Sequence, residues 1–447
     1  MRLITFLRFV LYIFIGINSG NAFAQEKNIA VQADQLLKDD ALKGAHTGIC
    51  IFDPSTKDYV YKYNADKFFI PASITKLFTT YASLKFLGDS ITGIKYRETK
   101  DTVFLIPTGD PTFLHEDFSN QNVFNFLSEI KKRLFFQDAD CKMEKYGKGW
   151  AWDDCNEEYM AERNSLPING NVVNFNFRSF ADHKKNSELF VQPKIKNGKI
   201  KLARNENIDE VKILRNPTSN DFEIIYNNRG ASINKKVPLW TDGIRTAIQI
   251  LEEKIPNISY AQTKVPDGNV SFYHQIKSQP TDSVLRKMMY ESNNFFAEQL
   301  LLMCSDHKLG YMSDQIFIES LLENELKEIP QKPEWVDGSG LSRYNLFTPQ
   351  SFVYILDKMR IEFGLDRLKR ILPTGGKGTL KNYFQSESNF IFAKTGTLSN
   401  HSSLSGYLIT KKGKLLIFSI ISNNYQTKFS FVKKAFEKFL VGIRNDN

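Results

Sequence analysis

Residues 71–78, Pro-Ala-Ser-Ile-Thr-Lys-Leu-Phe, constrain the fold of this chain more than any other stretch. If the stretch is helical, Ser73 and Lys76 stand three residues apart on one face, where a neutral lysine amine can take the proton of the serine hydroxyl. Pro71 favours this interpretation, because proline is common in the first turn of a helix and a helix N-terminus presents free N–H groups to developing negative charge. Ser73 is therefore a candidate nucleophile at the start of a helix that continues to Gly88.

The Ser-x-x-Lys pattern alone is a weak signal. It also occurs at four other serines, Ser128, Ser232, Ser305 and Ser430. A serine at the start of a helix is more often an N-cap than a nucleophile. Further motifs are needed before catalysis is inferred.

The first 24 residues have the pattern of a cleaved secretory leader. Arg2 and Arg8 precede an apolar run over residues 9–17, and residues 21–24, Asn-Ala-Phe-Ala, supply the small side chains that leader cleavage requires. The apolar run is too short to span a bilayer, which needs about 20 residues. We expect a mature chain that begins at Gln25, works in the periplasm and contains no membrane span; an uncleaved anchor is the alternative.

The charge of the chain excludes one class of partner. Removing Arg2 and Arg8 lowers the formal net charge from +9 to +7. This mild basicity fits contact with an anionic polymer of the cell envelope. The charges are scattered, however, and no Lys/Arg cluster is interleaved with aromatic residues, so we expect no nucleic-acid partner.

The four cysteines are too few for a disulfide scaffold. Cys141 and Cys155 lie 14 residues apart in an irregular, Trp-rich stretch, and in an oxidising compartment they could pair. Cys50 and Cys304 lie in apolar runs, which predicts buried thiols. There is no Cys-x-x-Cys and no histidine pair at ligand spacing, so we expect no metal and no cofactor.

The pattern of apolar residues predicts an α/β chain with an antiparallel sheet flanked by helices. Five runs have the alternation or composition of strands: 47–52, 58–63, 390–394, 406–410 and 415–422. Five others have helical spacing: 25–44, 123–135, 241–253, 281–303 and 430–443. We expect the last helix to close the sheet domain. About 420 residues remain after the leader, which is enough for two or three domains.

Two further motifs strengthen the first. Ser292-Asn293-Asn294 is a Ser-x-Asn triplet in a helical region, and Lys394-Thr395-Gly396 ends a predicted strand. Ser-x-x-Lys, Ser-x-Asn and Lys-Thr-Gly in this order are the signature of serine β-lactamases and penicillin-binding proteins. Lys-Thr-Gly occurs only once in the chain, so the three motifs in this order are a specific signal.

Several of these side chains suit proton transfer. Lys76 must be neutral to activate Ser73, and a second cation nearby, Lys394, would help by lowering the pKa of Lys76. Ser292 can pass a proton towards the leaving amine, while Asn294 can hold the substrate amide and Lys76 in place.

The strand motif suits substrate binding. Lys394 and the Thr395 hydroxyl can bind a substrate carboxylate, and Gly396 leaves room for an extended substrate along the strand edge. The backbone N–H groups of Ser73 and Thr397 would form an oxyanion hole.

The resemblance extends to one family. The spacing of 219 residues from Ser73 to Ser292 is far too long for a β-lactamase. The chain resembles the D-alanyl-D-alanine carboxypeptidase/endopeptidase family of class C low-molecular-mass penicillin-binding proteins, the peptidase S13 group. Local similarity to that family lies at residues 71–77, 109–112, 337–343, 372–380 and 394–398.

The resemblance implies a serine β-lactamase/penicillin-binding transpeptidase-like domain interrupted by a large nested insertion. The expected limits are a leader at 1–24, a catalytic domain at 25–95 and 265–447, a second domain at 96–174 and 226–264, and a small nested β domain at 175–225.

The resemblance also implies a reaction. Family members cleave the terminal D-Ala-D-Ala bond, or a D-Ala to diaminopimelate cross-link, in peptidoglycan stem peptides, and they bind β-lactam antibiotics covalently. An acidic group of the second domain meets the cationic end of diaminopimelate; Asp154, next to Trp152, is the matching position here. As an Asp in a loop, Asp154 could equally be a turn residue.

Three alternatives stay open. A class A β-lactamase needs a deacylating Glu and, after three intervening residues, an Asn; the nearest approach is the segment 323–327, which has Lys where Asn should be. A binding protein could share the fold without cutting peptidoglycan. A Ser-His-Asp hydrolase is disfavoured, because none of the six histidines accompanies a Gly-x-Ser-x-Gly motif.

Overall fold

The structure is a computed structural model that describes residues 28–181, 187–227, 229–260 and 273–446. The predicted leader, 1–24, lies outside these ranges. The helices are α1 (28–37), α2 (Lys76–Phe86), α3 (Asn122–Glu129), α4 (Arg245–Leu251), α5 (Thr281–Glu291), α6 (Asn294–Leu309), α7 (Asp314–Glu323), α8 (Pro349–Phe363), α9 (Leu365–Ile371) and α10 (Phe429–Asp446).

The strands of the described part fall into four sheets. They are β1 (His46–Asp53), β2 (Asp58–Tyr63), β3 (Ser90–Glu98), β4 (Thr102–Pro107), β5 (Arg133–Phe136), β6 (Val172–Arg178), β7 (Glu188–Gln192), β8 (Ile200–Arg204), β9 (Lys212–Arg215), β10 (Phe222–Tyr226), β11 (Ser232–Pro238), β12 (Ile258–Tyr260), β13 (His274–Pro280), β14 (Ile391–Leu398), β15 (His401–Ile409) and β16 (Leu415–Asn423).

One antiparallel sheet joins the two ends of the chain. Its order is β14-β15-β16-β1-β2, so the N-terminal hairpin extends the C-terminal meander. The predicted hairpin and the three predicted C-terminal strands are confirmed. β14 is longer than expected, because its ladder with β15 continues until Leu398 lies opposite His401. Lys394-Thr395-Gly396 therefore lies inside the strand, not at its end.

The interior strand β1 is buried on both faces. Cys50 and Phe52 pack into a large helical core that includes α2 and α8. Ile49 and Ile51 point the other way, into a core that α1 and α10 supply. This alternation follows from the two-residue period of a strand. The sheet is therefore the middle layer of three, with helices on each side.

Helix α10 closes the outer layer, as predicted. Its buried residues are Val432, Ala435, Phe436, Phe439, Leu440, Ile443 and Arg444. Phe431 precedes the first buried position of the helix by one residue and is 52% exposed. None of the helices in the described ranges is both long and apolar enough to cross a bilayer.

The first part of the insertion forms a mixed sheet in the order β12-β5-β4-β3-β13. The predicted helix 123–135 is wrong in its second half. The chain becomes extended at Ile130, and the following residues, Arg133–Phe136, form a strand. Leu134 and Phe136 are buried while Phe135 is half-buried, which is the two-residue period of a strand. From the sequence alone, the apolar run 134–136 is compatible with a helix or a strand.

The nested part contains two three-stranded sheets around one apolar core. Their orders are β11-β6-β7 and β8-β10-β9. The core contains Phe175, Phe177, Ile213 and Ile224. A β structure was predicted here at 175–225, and these strands run from Val172 to Pro238.

The domain limits remain a prediction. β3 and β13 pair with each other, and β3 also pairs with β4 of the insertion. The predicted limits, 95 and 265, would cut β3 and assign β13 to the catalytic domain. We propose limits near 89 and 280 for the insertion, because a sheet folds as one hydrogen-bonded unit.

The possible pairing of Cys141 with Cys155 does not occur in this structure. All four cysteines are free thiols, with Cys50 and Cys304 buried as predicted. Cys141 is held elsewhere: it forms a β-bridge with Met312, and the two sulfur atoms lie 3.8 Å apart.

We therefore predict four titratable thiols. Alkylation of the denatured, unreduced protein should add four groups, as measured by intact mass, because none of the sulfur atoms is in a disulfide. A reduced sample serves as the control and should give the same mass. Two groups without reduction and four with reduction would contradict the structure.

Candidate active site

The candidate nucleophile Ser73 lies in a tight turn before α2. Residues Ala72–Thr75 form a single 3₁₀ turn, and the α-helix begins at Lys76; the predicted helix from Ser73 therefore starts with a tighter turn. Ala72 has a φ of 52°, which is uncommon for a residue with a side chain. A Cβ at Gly340 would lie 2.0 Å from the Ala72 carbonyl oxygen, so a glycine is required against this turn.

Strand β14 approaches the same turn from the other side. A Cβ at Gly396 would lie 2.6 Å from the Pro71 carbonyl oxygen and 2.9 Å from the Ser73 nitrogen. Ser403 of the neighbouring strand β15 donates a hydrogen bond of 2.6 Å to the same carbonyl. The absence of a side chain at Gly396 thus lets the strand lie directly beside the serine.

Lys76 is fully buried, and its amine has three polar contacts. Lys76 Nζ lies 3.0 Å from Ser73 Oγ, 2.7 Å from Asn294 Oδ1 and 2.7 Å from the carbonyl oxygen of Ser339. These partners come from the turn before α2, the start of α6 and the loop before α8. The lysine therefore joins three distant segments of the sequence.

Burial makes Lys76 a weak base compared with an ordinary lysine. Desolvation lowers the pKa of Lys76 to about 7, while the negative charges of Asp337 and Glu298 act in the opposite direction. The cause is that a buried ammonium loses its hydration. A substantial fraction of the amine is therefore neutral at neutral pH, so it can accept a proton.

Ser292 and Asn294 lie at the junction of two helices. The predicted helical region 281–303 breaks here, because Ser292 adopts a left-handed φ of 58° and the Asn293 side chain caps α6 by accepting from the Phe296 N–H. Asn294 Nδ2 donates to the Tyr159 carbonyl at 3.2 Å. This contact orients the amide so that its oxygen faces the lysine.

Lys394 is the second buried amine of the site. Its Nζ donates to Ser292 Oγ at 2.8 Å and to the Thr395 carbonyl at 2.7 Å. Burial, with a smaller effect of the positive charge of Lys76, holds the pKa of Lys394 well below its usual range. The two amines thus each contact one serine hydroxyl, Ser73 or Ser292.

The outer edge of β14 is available to an extended ligand. β14 is the terminal strand of its sheet. The residues 373 and 374 cover its beginning, where the Ala393 N–H donates to the Pro373 carbonyl and Phe392 forms a β-bridge with Thr374. Thr395 is half-buried, Gly396 is buried and Thr397 is exposed. Beyond Lys394 the edge can therefore pair with a peptide backbone.

The loop at 337–345 holds the third partner of Lys76 in place. The buried Asp337 carboxylate accepts from the N–H groups of Gly340 and Ser342 at 2.8 and 2.7 Å, and from the side chains of Asn345 and Trp150 at 2.8 and 2.9 Å. The sequence motifs predicted no role for this loop. An Asp followed by Gly-Ser-Gly predicts a turn that the Asp side chain itself stabilises. This pattern could have identified the role of the loop from the sequence.

Asp154 lies next to the site but does not contact Ser73 or Lys76. It ends the turn Trp152–Asp154 and is half-buried. Burial raises the pKa of Tyr159 to about 12, and the negative charge of Asp154 and the hydrogen bond between Asp154 and Tyr159 act in the same direction. Since the Tyr159 carbonyl accepts from Asn294, Asp154 is connected to the site through Tyr159, which we did not identify from the sequence. The indole of Trp152 is 85% exposed.

A cleft of about 290 Å³ opens beside these residues, with Ser292 and Asn294 on one wall and Tyr159 and His115 on the other. Its walls come from both the catalytic region and the insertion. A ligand that reaches Ser73 from this side would contact both.

Comparison with known proteins supports one family. The sequence profile of the D-Ala-D-Ala carboxypeptidase 3 (S13) family matches residues 29–216 and 253–445. A D-alanyl-D-alanine carboxypeptidase of Haemophilus influenzae is 22% identical over 437 residues, covering 86% of this chain and 87% of the relative. A D-alanyl-D-alanine carboxypeptidase of an Actinomadura species is 24% identical, covering 88% of this chain and 80% of the relative.

A solved structure shares the fold. The crystal structure of penicillin-binding protein 4 from Haemophilus influenzae has a TM-score of 0.73 at 19% identity, and the match covers 92% of this chain and 99% of that chain. The penicillin-binding fold expected from the motifs is therefore confirmed. Because the family profile matches most of its residues, the chain belongs to the D-Ala-D-Ala carboxypeptidase 3 (S13) family.

Proposed function

We propose that the protein is a serine D,D-peptidase of peptidoglycan that acts through an acyl-enzyme on Ser73. Its substrates are stem peptides that end in D-Ala-D-Ala, with D-Ala to diaminopimelate cross-links as a second class. One observation carries the proposal: Lys76 Nζ is buried and lies 3.0 Å from Ser73 Oγ. Secretion to the periplasm after loss of residues 1–24 belongs to the same proposal.

The hydrogen bonds of Lys76 support its role as the base. Asn294 Oδ1 and the Ser339 carbonyl can only accept hydrogen bonds. A neutral amine has two N–H bonds and one lone pair. Donating to these two acceptors leaves the lone pair facing Ser73 Oγ, where it can take the hydroxyl proton as the oxygen attacks.

The second half of the reaction uses Ser292. Attack of Ser73 Oγ on the carbonyl carbon of the penultimate D-Ala breaks the C–N bond, and the departing amine must gain a proton. Ser292 Oγ, hydrogen-bonded to Lys394, can donate that proton and be reprotonated by Lys394 in its ammonium form. The proton that Lys76 takes from Ser73 balances the one that Lys394 gives up. Water then cleaves the ester and regenerates the serine.

The substrate would lie along β14. We assign the Lys394 amine and the Thr395 hydroxyl to the terminal carboxylate, whose charge would favour the ammonium form of the lysine. Gly396 gives the substrate room, and the N–H groups of Ser73 and Thr397 would stabilise the oxyanion. β-Lactams place a carboxylate and a reactive carbonyl in a similar arrangement, so they would acylate Ser73.

Two rival functions lack support in the geometry. Glu323, the nearest counterpart of a deacylating carboxylate, is exposed at the end of α7, which disfavours a class A β-lactamase. Burial of an ammonium costs free energy. A protein that only binds peptidoglycan would gain nothing from a buried lysine beside a serine, which disfavours that function.

We predict that benzylpenicillin forms one stable adduct, on Ser73. Intact mass should show the adduct on the wild type and none on Ser73→Ala, because the variant lacks the nucleophile. Ser430→Ala removes an exposed serine of another Ser-x-x-Lys pattern and should keep the adduct. Rapid hydrolysis without an adduct would point to a β-lactamase, and neither hydrolysis nor an adduct would point to a binding protein.

We predict that the acylation rate rises with pH through a midpoint near 7. Only the neutral amine accepts a proton, and burial lowers the pKa of Lys76 to about 7, so the reactive fraction grows as the pH rises through that value. Lys76→Arg, which stays charged, should lose about 10²- to 10⁴-fold in rate. The measurement is stopped-flow acylation by a chromogenic β-lactam.

Lys85→Arg is the matched control for that substitution. Lys85 lies on the same helix, and its side chain is 40% exposed in an ion pair with Glu362. The acylation rate of this variant should equal that of the wild type. A midpoint near 10 in the wild type, the value of an ordinary lysine, would exclude Lys76 as a neutral base.

We predict that Asp154 selects substrates with a free amine on the stem peptide. Asp154→Asn should lower kcat/KM for a diaminopimelate-containing peptide by about tenfold, the effect of one charge-assisted hydrogen bond. For an acetylated peptide the value should not change. Equal losses for both peptides, measured by release of D-Ala, would assign Asp154 a structural role as the partner of Tyr159.

A further inference from the structure

A buried carboxylate lies behind the catalytic lysine and is not used by the proposed reaction. Glu298 is on α6, one turn after Asn294, and is 1% exposed. Its Oε1 accepts a hydrogen bond of 2.7 Å from the Ser339 N–H. The carbonyl of the same residue lies 2.7 Å from Lys76 Nζ. Glu298, Ser339 and Lys76 are therefore linked in series.

The backbone around Ser339 needs this external support. Ser339 lies between two glycines, which restrict the chain least. Gly338 is held by Thr79, whose hydroxyl donates to its carbonyl at 2.6 Å, and Gly340 is held by the Asp337 carboxylate. The Ser339 N–H shares a peptide plane with the Gly338 carbonyl, and its bond to Glu298 fixes that plane on one side of Ser339. The Ser339 carbonyl lies in the next plane, whose Gly340 N–H donates to Asp337. The two planes together set the direction of the Ser339 carbonyl towards the lysine.

The other oxygen of Glu298 contacts the insertion. Arg163 Nη1 lies 3.3 Å from Glu298 Oε2, and the guanidinium side chain is only 3% exposed. Arg163 also pairs with Asp314 and donates to the carbonyls of Glu144 and Tyr146 at 3.1 and 3.2 Å. The arginine is thus held on the insertion side and supplies the charge that a buried carboxylate requires.

We propose that Glu298 is a positioning residue for acylation: it holds the Ser339 carbonyl against Lys76 Nζ, and Arg163 makes the insertion part of this positioning. The inference rests on the proposed role of Ser73 and Lys76. The insertion then contributes to the chemistry itself as well as to substrate binding.

The charged groups around Lys76 and Glu298 determine whether a substitution at Glu298 raises or lowers the pKa of Lys76. Lys76 is faced by Asp337 and Glu298, which favour its ammonium form, and by Lys394, which does not. Burial, together with the negative charges of Asp337 and Asp314, raises the pKa of Glu298 to about 7, while Arg163 and the hydrogen bond from Ser339 favour the carboxylate. Both Glu298 oxygens accept hydrogen bonds from N–H donors, as an ionised carboxylate does.

Two substitutions separate the charge of Glu298 from its hydrogen bond. Glu298→Gln keeps an oxygen for the Ser339 N–H but removes the charge, so the maximal acylation rate should be retained while the pH midpoint falls by about one unit. Glu298→Met removes both, and the displaced carbonyl should lower the maximal rate about tenfold or more. Rates are measured from pH 5 to 9 with a chromogenic β-lactam, per folded site.

A matched control lies on the same helix. Asp306 of α6 pairs with Lys95 of β3 at 2.7 Å, and both side chains are 13% exposed. Asp306→Asn thus removes a similar ion pair between the same two regions, without contact to Ser339. Its melting temperature should fall while its pH profile stays that of the wild type.

The outcomes distinguish the inference from the proposed function. Absence of acylation in the wild type would overturn both. Acylation in the wild type with unchanged profiles in the folded Glu298 variants, or the same change in Asp306→Asn, would overturn only the inference. If these variants do not fold, Glu298→Asp provides a further test, because it keeps the charge but withdraws the carboxylate oxygen by one methylene. Its maximal acylation rate should fall while its pH midpoint stays unchanged. An unchanged maximal rate would overturn the inference.

Discussion

The site depends on one buried amine. Lys76 Nζ is held by Ser73 Oγ, Asn294 Oδ1 and the Ser339 carbonyl, with all three distances at 3.0 Å or below. An ammonium at this position loses its hydration, so the same burial that orders the amine also favours its neutral form. The geometry and the basicity of the lysine therefore have a common cause.

That burial requires several parts of the fold at once. The turn before α2 positions the serine, α6 supplies Asn294, and β14 closes the site because Gly396 allows the strand to approach. The insertion adds Trp150, which donates to Asp337, and Arg163, which pairs with Glu298. Contacts from the insertion thus reach both carboxylates that lie behind the lysine, which explains how a large insertion can interrupt a catalytic domain and remain part of its active site.

The three motifs, the terminal sheet and its closing helix could be identified from the sequence, because each depends on local spacing or composition. It predicted poorly where local patterns are ambiguous: the apolar run 134–136 fits a helix or a strand, and the break at Ser292 depends on a cap by Asn293 inside a helical pattern. Arg163 and the Ser339 carbonyl were missed, since a backbone carbonyl leaves no mark in a sequence and an ion pair between residues 135 positions apart needs the fold. Glu298 could have been found, because it follows Asn294 by four residues on one helix face.

The most direct test of this account is the pKa of the Lys76 amine itself. In protein labelled with ¹³C at the lysine ε-carbons, the resonance that disappears in Lys76→Arg can be followed by NMR as a function of pH. We predict that it titrates near pH 7, as burial of the amine requires. A resonance that stays in its ammonium form up to pH 10 would show that Lys76 is charged in the resting site and would contradict its role as the base.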